Sequence, residues 1–255
     1  MKNTFTILGC GSSLGAPWIT NFNGKLKKNK KNIRTRCCAH ILKGDLSVLI
    51  DTSPDIKYQF LKNKINTLDA IIYTHEHADQ TSGIFEMRPF FWKNKKKIPV
   101  YGSSRTINEL KDKYTFCFSQ RHGYKPIMKA NTIKNSFIIK KANTNLNVDS
   151  FDVTHGMIKA TGYVFDKIAY ISDCNKISNM ALKKLKNLNF LIIDCLRQDK
   201  HPSHFNYEDA LKLIKKIKPK KSILTNLHVD LDYFKLKKKL PKNIIPAYDG
   251  LSFNF

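Results

Sequence analysis

Several features that would place this 255-residue chain quickly are missing from it. No apolar run approaches the roughly 18 residues needed to cross a bilayer, so no membrane span is expected. Cys10, Cys37, Cys38, Cys117, Cys174 and Cys195 are scattered, with no C-x-x-C pair. That argues against a disulfide framework or a cysteine-held zinc and fits a reduced cytoplasm. The first residues run straight into a strand-like stretch, with no long apolar segment ahead of a small-residue cleavage site, so a cytoplasmic protein is expected. Gly9, Gly11 and Gly15 miss the G-x-G-x-x-G spacing by one place and no clear helix follows, which argues against a dinucleotide cradle. No fixed-period repeat is visible.

Acidic residues are scarce, 20 against 45 basic ones, for a formal charge of +25. Arginine is scarce too, with six residues at 34, 36, 88, 105, 121 and 197. Such a charge raises the prospect of nucleic acid or another polyanion as partner. The chain is also crowded with Asn and Ile, a skew that AT-rich coding produces, and lysine-coated surfaces are ordinary. The charge therefore reads first as a solvated surface and second as polyanion steering.

What is present suffices for a packed core: 42% of residues are hydrophobic and 11% aromatic. The length suits one domain spanning 1–255. Strand signals fall at 5–8, 39–42 and 46–50, the last two joined by a Lys43-Gly44-Asp45 turn, and at 68–73 and 98–101. Ser53-Pro54-Asp55 reads as the opening of a helix to about 62, and further helices are predicted at 82–92 and 104–114. The second half gives strands at 137–139, 147–153, 162–165, 168–172, 190–193 and 222–224, and helices at 178–188, 207–218 and 231–240. Residues 21–31 read as a mobile, lysine-rich surface loop. Groups of strands separated by helices favour an α/β protein with two sheets covered by outer helices.

The chemistry-bearing residues gather after the strand at 68–73. In His75-x-His77-x-Asp79, continued strand geometry would send two imidazoles and a carboxylate to one side. Imidazole nitrogen and carboxylate oxygen suit Zn²⁺, Mn²⁺ or Fe²⁺. His155, Asp173 and His228 each lie where a predicted strand gives way to a loop, the usual place for a site on a sheet scaffold. His40, at the start of a hydrophobic strand, reads as structural, and His122 as a solvent-exposed loop residue.

The run Ile71-Ile72-Tyr73-Thr74-His75-Glu76-His77-Ala78-Asp79, followed by Gly83, resembles the H-x-H-x-D-H signature of the metallo-β-lactamase superfamily. Leu49-Ile50-Asp51-Thr52 resembles its buried strand ending in Asp, and Tyr170-Ile171-Ser172-Asp173 the strand carrying its bridging aspartate. Arg34-Thr35-Arg36-Cys37, His201-Pro202-Ser203-His204-Phe205, Thr225-Asn226-Leu227-His228 and Pro246-Ala247-Tyr248-Asp249-Gly250 are similar to the PhnP-like branch, whose characterised activity is on phosphoribosyl cyclic phosphate. The resemblance implies an αββα sandwich of two mostly antiparallel or mixed sheets flanked by helices. It implies that His75, His77 and His155 hold one metal, with Asp173 bridging to a second held by Asp79 and His228. Gln80 stands where the family places a histidine, so one tight Zn²⁺ or Mn²⁺ ion and a weaker second one are expected. Residues 16–36 lack the cysteines with which the PhnP pattern holds a structural zinc, and none is expected here.

The resemblance further implies a metal-dependent hydrolase, a phosphodiesterase for a small cyclic phosphodiester. Asp79 would orient or deprotonate the attacking water, His204 would protonate the leaving group, and Arg34, Arg36 and Arg88 would grip a phosphate. The runner-up is an RNA-processing nuclease of the tRNase Z type, against which stands the shortness of residues 21–31 as a clamp. A metal-poor accessory protein is the third reading, prompted by Gln80. A homodimer stays open, and no membrane partner is expected.

Overall fold

The computed structural model describes residues 3–120 and 123–255, so His122 lies outside the described residues. Two sheets face one another. The first contains Thr4–Gly9 (β1), Cys38–Lys43 (β2), Leu46–Ile50 (β3), Ala70–Ile72 (β4), Ile98–Gly102 (β5), Met128–Thr132 (β6) and the C-terminal Leu251–Asn254 (β15), in the order β15-β1-β2-β3-β4-β5-β6. The second is built from Ser136–Lys141 (β7), Thr144–His155 (β8), Ile158–Phe165 (β9), Ile168–Ile171 (β10), Lys176–Ile177 (β11), Phe190–Asp194 (β12), Lys221–Thr225 (β13) and Ile244–Pro246 (β14). Its order is β11-β8-β9-β10-β12-β13-β14, with β7 paired to β8.

Each sheet changes from antiparallel to parallel pairing along its width. β1, β2 and β3 pair antiparallel, while β3 to β6 are parallel; β8, β9 and β10 pair antiparallel, while β10, β12, β13 and β14 are parallel. Parallel strands need both faces covered, and their sequences show it. In β10, Ile168 and Tyr170 enter the core between the sheets, while Ala169 and Ile171 face the outer helices. β12 repeats the alternation, with Ile192 inside and Leu191 and Ile193 outside.

Helices Ile56–Lys62 (α1), Ala78–Thr81 (α2), Arg88–Asn94 (α3), Ser104–Lys113 (α4) and Thr115–Phe118 (α5) follow strands of the first sheet. Asn179–Leu182 (α6), Tyr207–Ile217 (α7) and Tyr233–Lys239 (α8) accompany the second. A third apolar cluster, including Ile56, Phe60, Ile107 and Leu110, joins α1 and α4 to the outer face of the first sheet. The layers are thus helix, sheet, sheet, helix, as the resemblance implies.

The elements depart from the sequence expectation in four places. The helix expected at 82–92 is broken into α2, a 3₁₀ turn at Ile84–Met87, and α3. A Cβ on Gly83 would collide with the Ser53 carbonyl, and Pro89, at the start of α3, has no N–H to continue the ladder. Only 179–182 of the helix expected at 178–188 forms; the chain turns beyond it, and Leu185 and Leu188 are buried in the outer cluster of the second sheet. β6, β11, β14 and β15 were not legible, being short or polar and defined by their pairing partners.

The fourth departure is the loop at 21–31, which is tied down. Lys25 N donates to the Val229 carbonyl, and Lys27 N and Asn32 Nδ2 donate to Asp232 Oδ2. The other oxygen of Asp232 caps α8 through Phe234 N and Lys235 N. No helix among the described residues is long and apolar enough to cross a membrane.

Candidate metal centre

The site lies beyond the C-terminal ends of the strands, where ligand sites of sheet scaffolds collect. β4 ends at Ile72 and delivers His75 and His77 in the following loop. Strand geometry does not continue as expected: α2 starts at Ala78, so Asp79 sits in a helical first turn. His155 closes β8, Asp173 follows β10, Asp194 closes β12, and Asn226 and His228 follow β13.

His75, His77 and His155 converge, with ring centroids 4.6 to 5.1 Å apart and one nitrogen from each within 4.8 Å of the others. Their tautomers are set from behind. Thr74 Oγ1 donates to Asp51 Oδ2 (2.8 Å) and so accepts from His75 Nδ1–H (3.0 Å). That leaves His75 Nε2 as a lone pair, and this atom is buried without a hydrogen-bond partner. His155 Nδ1–H donates to the Ser203 carbonyl (2.8 Å), turning the Nε2 lone pair towards His77 Nδ1 at 3.3 Å. Burial lowers the His75 pKa to about 3 and lowers that of His77 as well, so both are neutral donors. Three imidazoles aimed at one point, one with an orphaned buried nitrogen, fit a divalent cation.

A second group joins His155, Asp173 and His204. His204 Nδ1 lies 2.8 Å from Asp194 Oδ2 and 3.9 Å from Asp173 Oδ1. Burial works against its charge, but Asp194 and Asp173 outweigh it and raise the His204 pKa to about 9. Asp194 is raised to about 6 by burial despite that partner. Burial likewise opposes ionisation of Asp173, yet the surrounding imidazoles hold it below the usual carboxylate range, and of these His204 is the cation at neutral pH. Burial, and then the Asp173 charge, push Asp79 up to about 6.

Gln80 is fully buried between these acids. Its Nε2 donates to Asp79 Oδ2 (3.2 Å) and to Asp173 Oδ2 (3.4 Å), while Oε1 has no partner. Asn226 Nδ2 donates to Asp173 Oδ1 (3.1 Å) and Asp194 Oδ1 (3.3 Å). His228 and Asp79 line the same cavity, of about 360 Å³, but His228 joins neither close group and its Nδ1 lies 2.9 Å from Asp230.

The three arginines expected to grip phosphate line other places. Arg34 is 2% exposed, and its guanidinium donates to the carbonyls of His228 (3.1 Å) and Leu231 (2.5 Å), fixing the loop behind His228. Arg36 is paired with Asp55 at 2.9 Å. Arg88 lies over the rings of Phe85, Trp92 and Tyr124, beside a separate cavity. Charge type marked these residues, but burial and partners decide what a guanidinium can touch. Asp194 escaped the sequence reading although it shares the signal of Asp51 and Asp173, an apolar strand ending in aspartate. His40 is buried against Ser47 and Phe60, in a structural setting.

The profile described as "Beta-lactamase superfamily domain" matches residues 47–226. The chain belongs to that superfamily. Within the superfamily it resembles the PhnP family. The crystal structure of a diphosphatase from the PhnP family is 28% identical, with a TM-score of 0.89 over all of this chain and 98% of that one. Zn²⁺-bound PqqB from Methylobacterium extorquens (15% identity, TM-score 0.80, 99% and 100% covered) and the short human tRNase Z (16%, 0.71, 98% of each) share the superfamily fold. A Porphyromonas gingivalis protein named octanoyltransferase is 30% identical over 96% of this chain, which spans half the length of that relative.

Proposed function

We propose that this chain is a metal-dependent phosphoesterase acting on a small phosphodiester or diphosphate, with one Zn²⁺ or Mn²⁺ ion held by His75, His77 and His155. The observation that carries the reading is the convergence of three imidazoles beside buried Asp173, next to a cationic His204. The diphosphatase of similar structure supports phosphorus–oxygen chemistry at such a site. A divalent cation there supplies Lewis-acid activation of water and neutralises charge on a phosphoryl oxygen.

The chain's own groups do the rest. Asp79 accepts a hydrogen bond from the attacking water and orients it. His204, with Nδ1 anchored on Asp194, turns Nε2 towards the cavity and gives its proton to the leaving oxygen. Asp194 holds that ring and stabilises its charged form. Asp51, through Thr74, fixes the face of His75.

Gln80 sets the metal count. Its amide N–H groups tie Asp79 to Asp173, two of the residues that would hold a second cation. The protein then carries about one tightly held ion per chain, and Gln80→His moves the stoichiometry towards about two, read by plasma mass spectrometry after dialysis.

The rival readings have less behind them. A cavity of about 360 Å³ suits a small ligand, and the loop at 21–31 folds back on residues 229–232 instead of extending as a clamp for RNA. Octanoyl transfer through a cysteine or lysine finds neither residue among those lining the cavity. The test is turnover of a phosphodiester and diphosphate panel with Zn²⁺ or Mn²⁺. His77→Ala should lose at least about a thousandfold in kcat, and near-normal turnover by that variant would defeat the reading.

A further inference from the structure

The excess of positive charge is not spread evenly over the fold. A helix that crosses over between parallel strands runs back from the end of one strand to the start of the next. Five such returns, residues 62–69, 93–97, 183–189, 215–220 and 237–243, lead into β4, β5, β12, β13 and β14. Together they hold 17 lysines and one acidic residue, Asp69. The segments leaving β3, β4, β10, β12 and β13 for the same helices are 51–55, 73–83, 172–178, 195–206 and 226–232. These hold eight acidic residues and three lysines or arginines. Both sheets send their C-terminal strand ends to the metal centre, so the lysine-rich returns lie at the opposite end of the sandwich.

A uniform compositional bias would load both ends alike. Helix capping does not account for the separation either. A lysine in the last turn offsets the helix dipole, a part for one or two residues per helix, whereas four stand in each of 93–97, 215–220 and 237–243. All of the 17 except Lys184 are exposed, and none is in an ion pair among the described residues. The one acid is spent elsewhere, with Asp69 Oδ2 accepting from Lys141 Nζ (3.0 Å) and Ser47 N (2.8 Å). The clusters belong to both sheets, so the counter-charge that suits them is an extended polyanion and not a single small anion.

An extended polyanion is either a membrane surface or a nucleic acid. A membrane-docking face sets Trp, Phe or Leu among its lysines, and none of the exposed large apolar side chains falls within the five returns. Single strands are held by stacking on aromatic rings, and the five returns contain no aromatic residue. Lysine ammonium groups are point charges that meet phosphates without reading bases, which suits the backbone of a duplex. We propose that the end of the fold opposite the metal centre binds double-stranded nucleic acid through its phosphate backbone, as an anchor and not as a substrate.

The test is anisotropy of a fluorescein-labelled duplex of about 30 base pairs, which wild type should bind about a hundredfold more weakly at about 200 mM than at about 50 mM KCl. Two variants remove equal charge from the two ends. One carries Lys216→Gln, Lys220→Gln, Lys238→Gln and Lys242→Gln; the other carries Lys25→Gln, Lys28→Gln, Lys30→Gln and Lys176→Gln, around the metal centre. All eight side chains are exposed, so both proteins should melt at the wild-type temperature. The first should bind the duplex at least about tenfold more weakly, with a shallower salt dependence, and the second within about threefold of wild type. On wild type itself, the duplex should protect lysines of the five returns from acetylation and leave Lys25 and Lys176 reactive. Zn²⁺-loaded and metal-free protein should bind the duplex equally, because the anchor is remote from the metal centre. Equal losses in the two variants, or no duplex binding by wild type, would overturn the proposal. So would binding that depends on the metal, preference for a single strand, or binding to phosphatidylserine vesicles in place of the duplex.

Discussion

Two histidines show how surroundings divide one residue type. His40 is buried at 6% exposure, and Ser47 Oγ, which donates to the Thr67 carbonyl, accepts from its Nε2–H. No acid faces it, and burial lowers its pKa to about 4. A depressed folded value means that the unfolded chain binds the proton more readily. His40 therefore contributes its full stability above pH 6.5 and loses it as the pH falls towards 4, on the order of 3 kcal/mol in all. Denaturant titrations of wild type and His40→Gln should show a flatter pH dependence in the variant across that window, and parallel curves would refute the assignment. His204 is the opposite case, a cation held by Asp194. Asp194→Asn should lower kcat by about a hundredfold on substrates with alkoxide leaving groups. The loss should be much smaller on p-nitrophenyl esters, whose leaving group departs without a proton. Equal losses on both would assign Asp194 a purely structural part.

At the scale of the element, short segments are held by single side chains. Asp232 caps α8 with one oxygen and ties down the loop at 21–31 with the other, receiving Lys27 N and Asn32 Nδ2. Asp232→Ala removes a cap and leaves two further donors unpaired, at a cost of about 2 kcal/mol. Trypsin should then cut at Lys25, Lys27, Lys28, Lys30 or Lys31 well before it cuts the wild type, and an unaltered digestion pattern would contradict this account. Asp51 plays the matching part beside the metal centre. It follows β3 in the left-handed region (φ 63°), where its carboxylate takes Thr74 N at 2.7 Å and Thr74 Oγ1 at 2.8 Å. Asparagine at 51 should weaken metal binding by about ten- to a hundredfold, measured by chelator competition.

At the scale of the molecule, the three imidazoles belong to different sheets. His75 and His77 follow β4 of the first sheet, and His155 closes β8 of the second. A cation held by the three would link the two sheets at one end and favour the folded chain. At a thousandfold excess over Kd it adds about 4 kcal/mol. Zn²⁺ should accordingly raise Tm by about 8 °C or more, a chelator should reverse the shift, and His77→Ala should abolish it. His77 is an exposed side chain, whereas His75 is fully buried, so truncation at 77 separates metal loss from core damage more cleanly. A Tm indifferent to metal would count against the centre itself.

The sequence by itself determined the layered α/β architecture, because the short apolar runs at 46–50, 168–172 and 190–193 and the helical stripe at 207–218 are local patterns. It also marked His75, His77, Asp79, His155, Asp173 and His228 as residues of the strand ends, since sheet scaffolds present side chains there, and His204 as an imidazole able to give a proton. Only the tertiary structure decided what those residues touch. Three imidazoles met because two sheets packed face to face, and His228 turned to Asp230 instead of joining them. Asp194 became the partner of His204, and Gln80 came to lie between two acids. Among the arginines, burial placed Arg34 behind the site and left Arg197 at its rim. Burial and long-range partners set these roles, and both depend on residues far away in the chain, where no local pattern can record them.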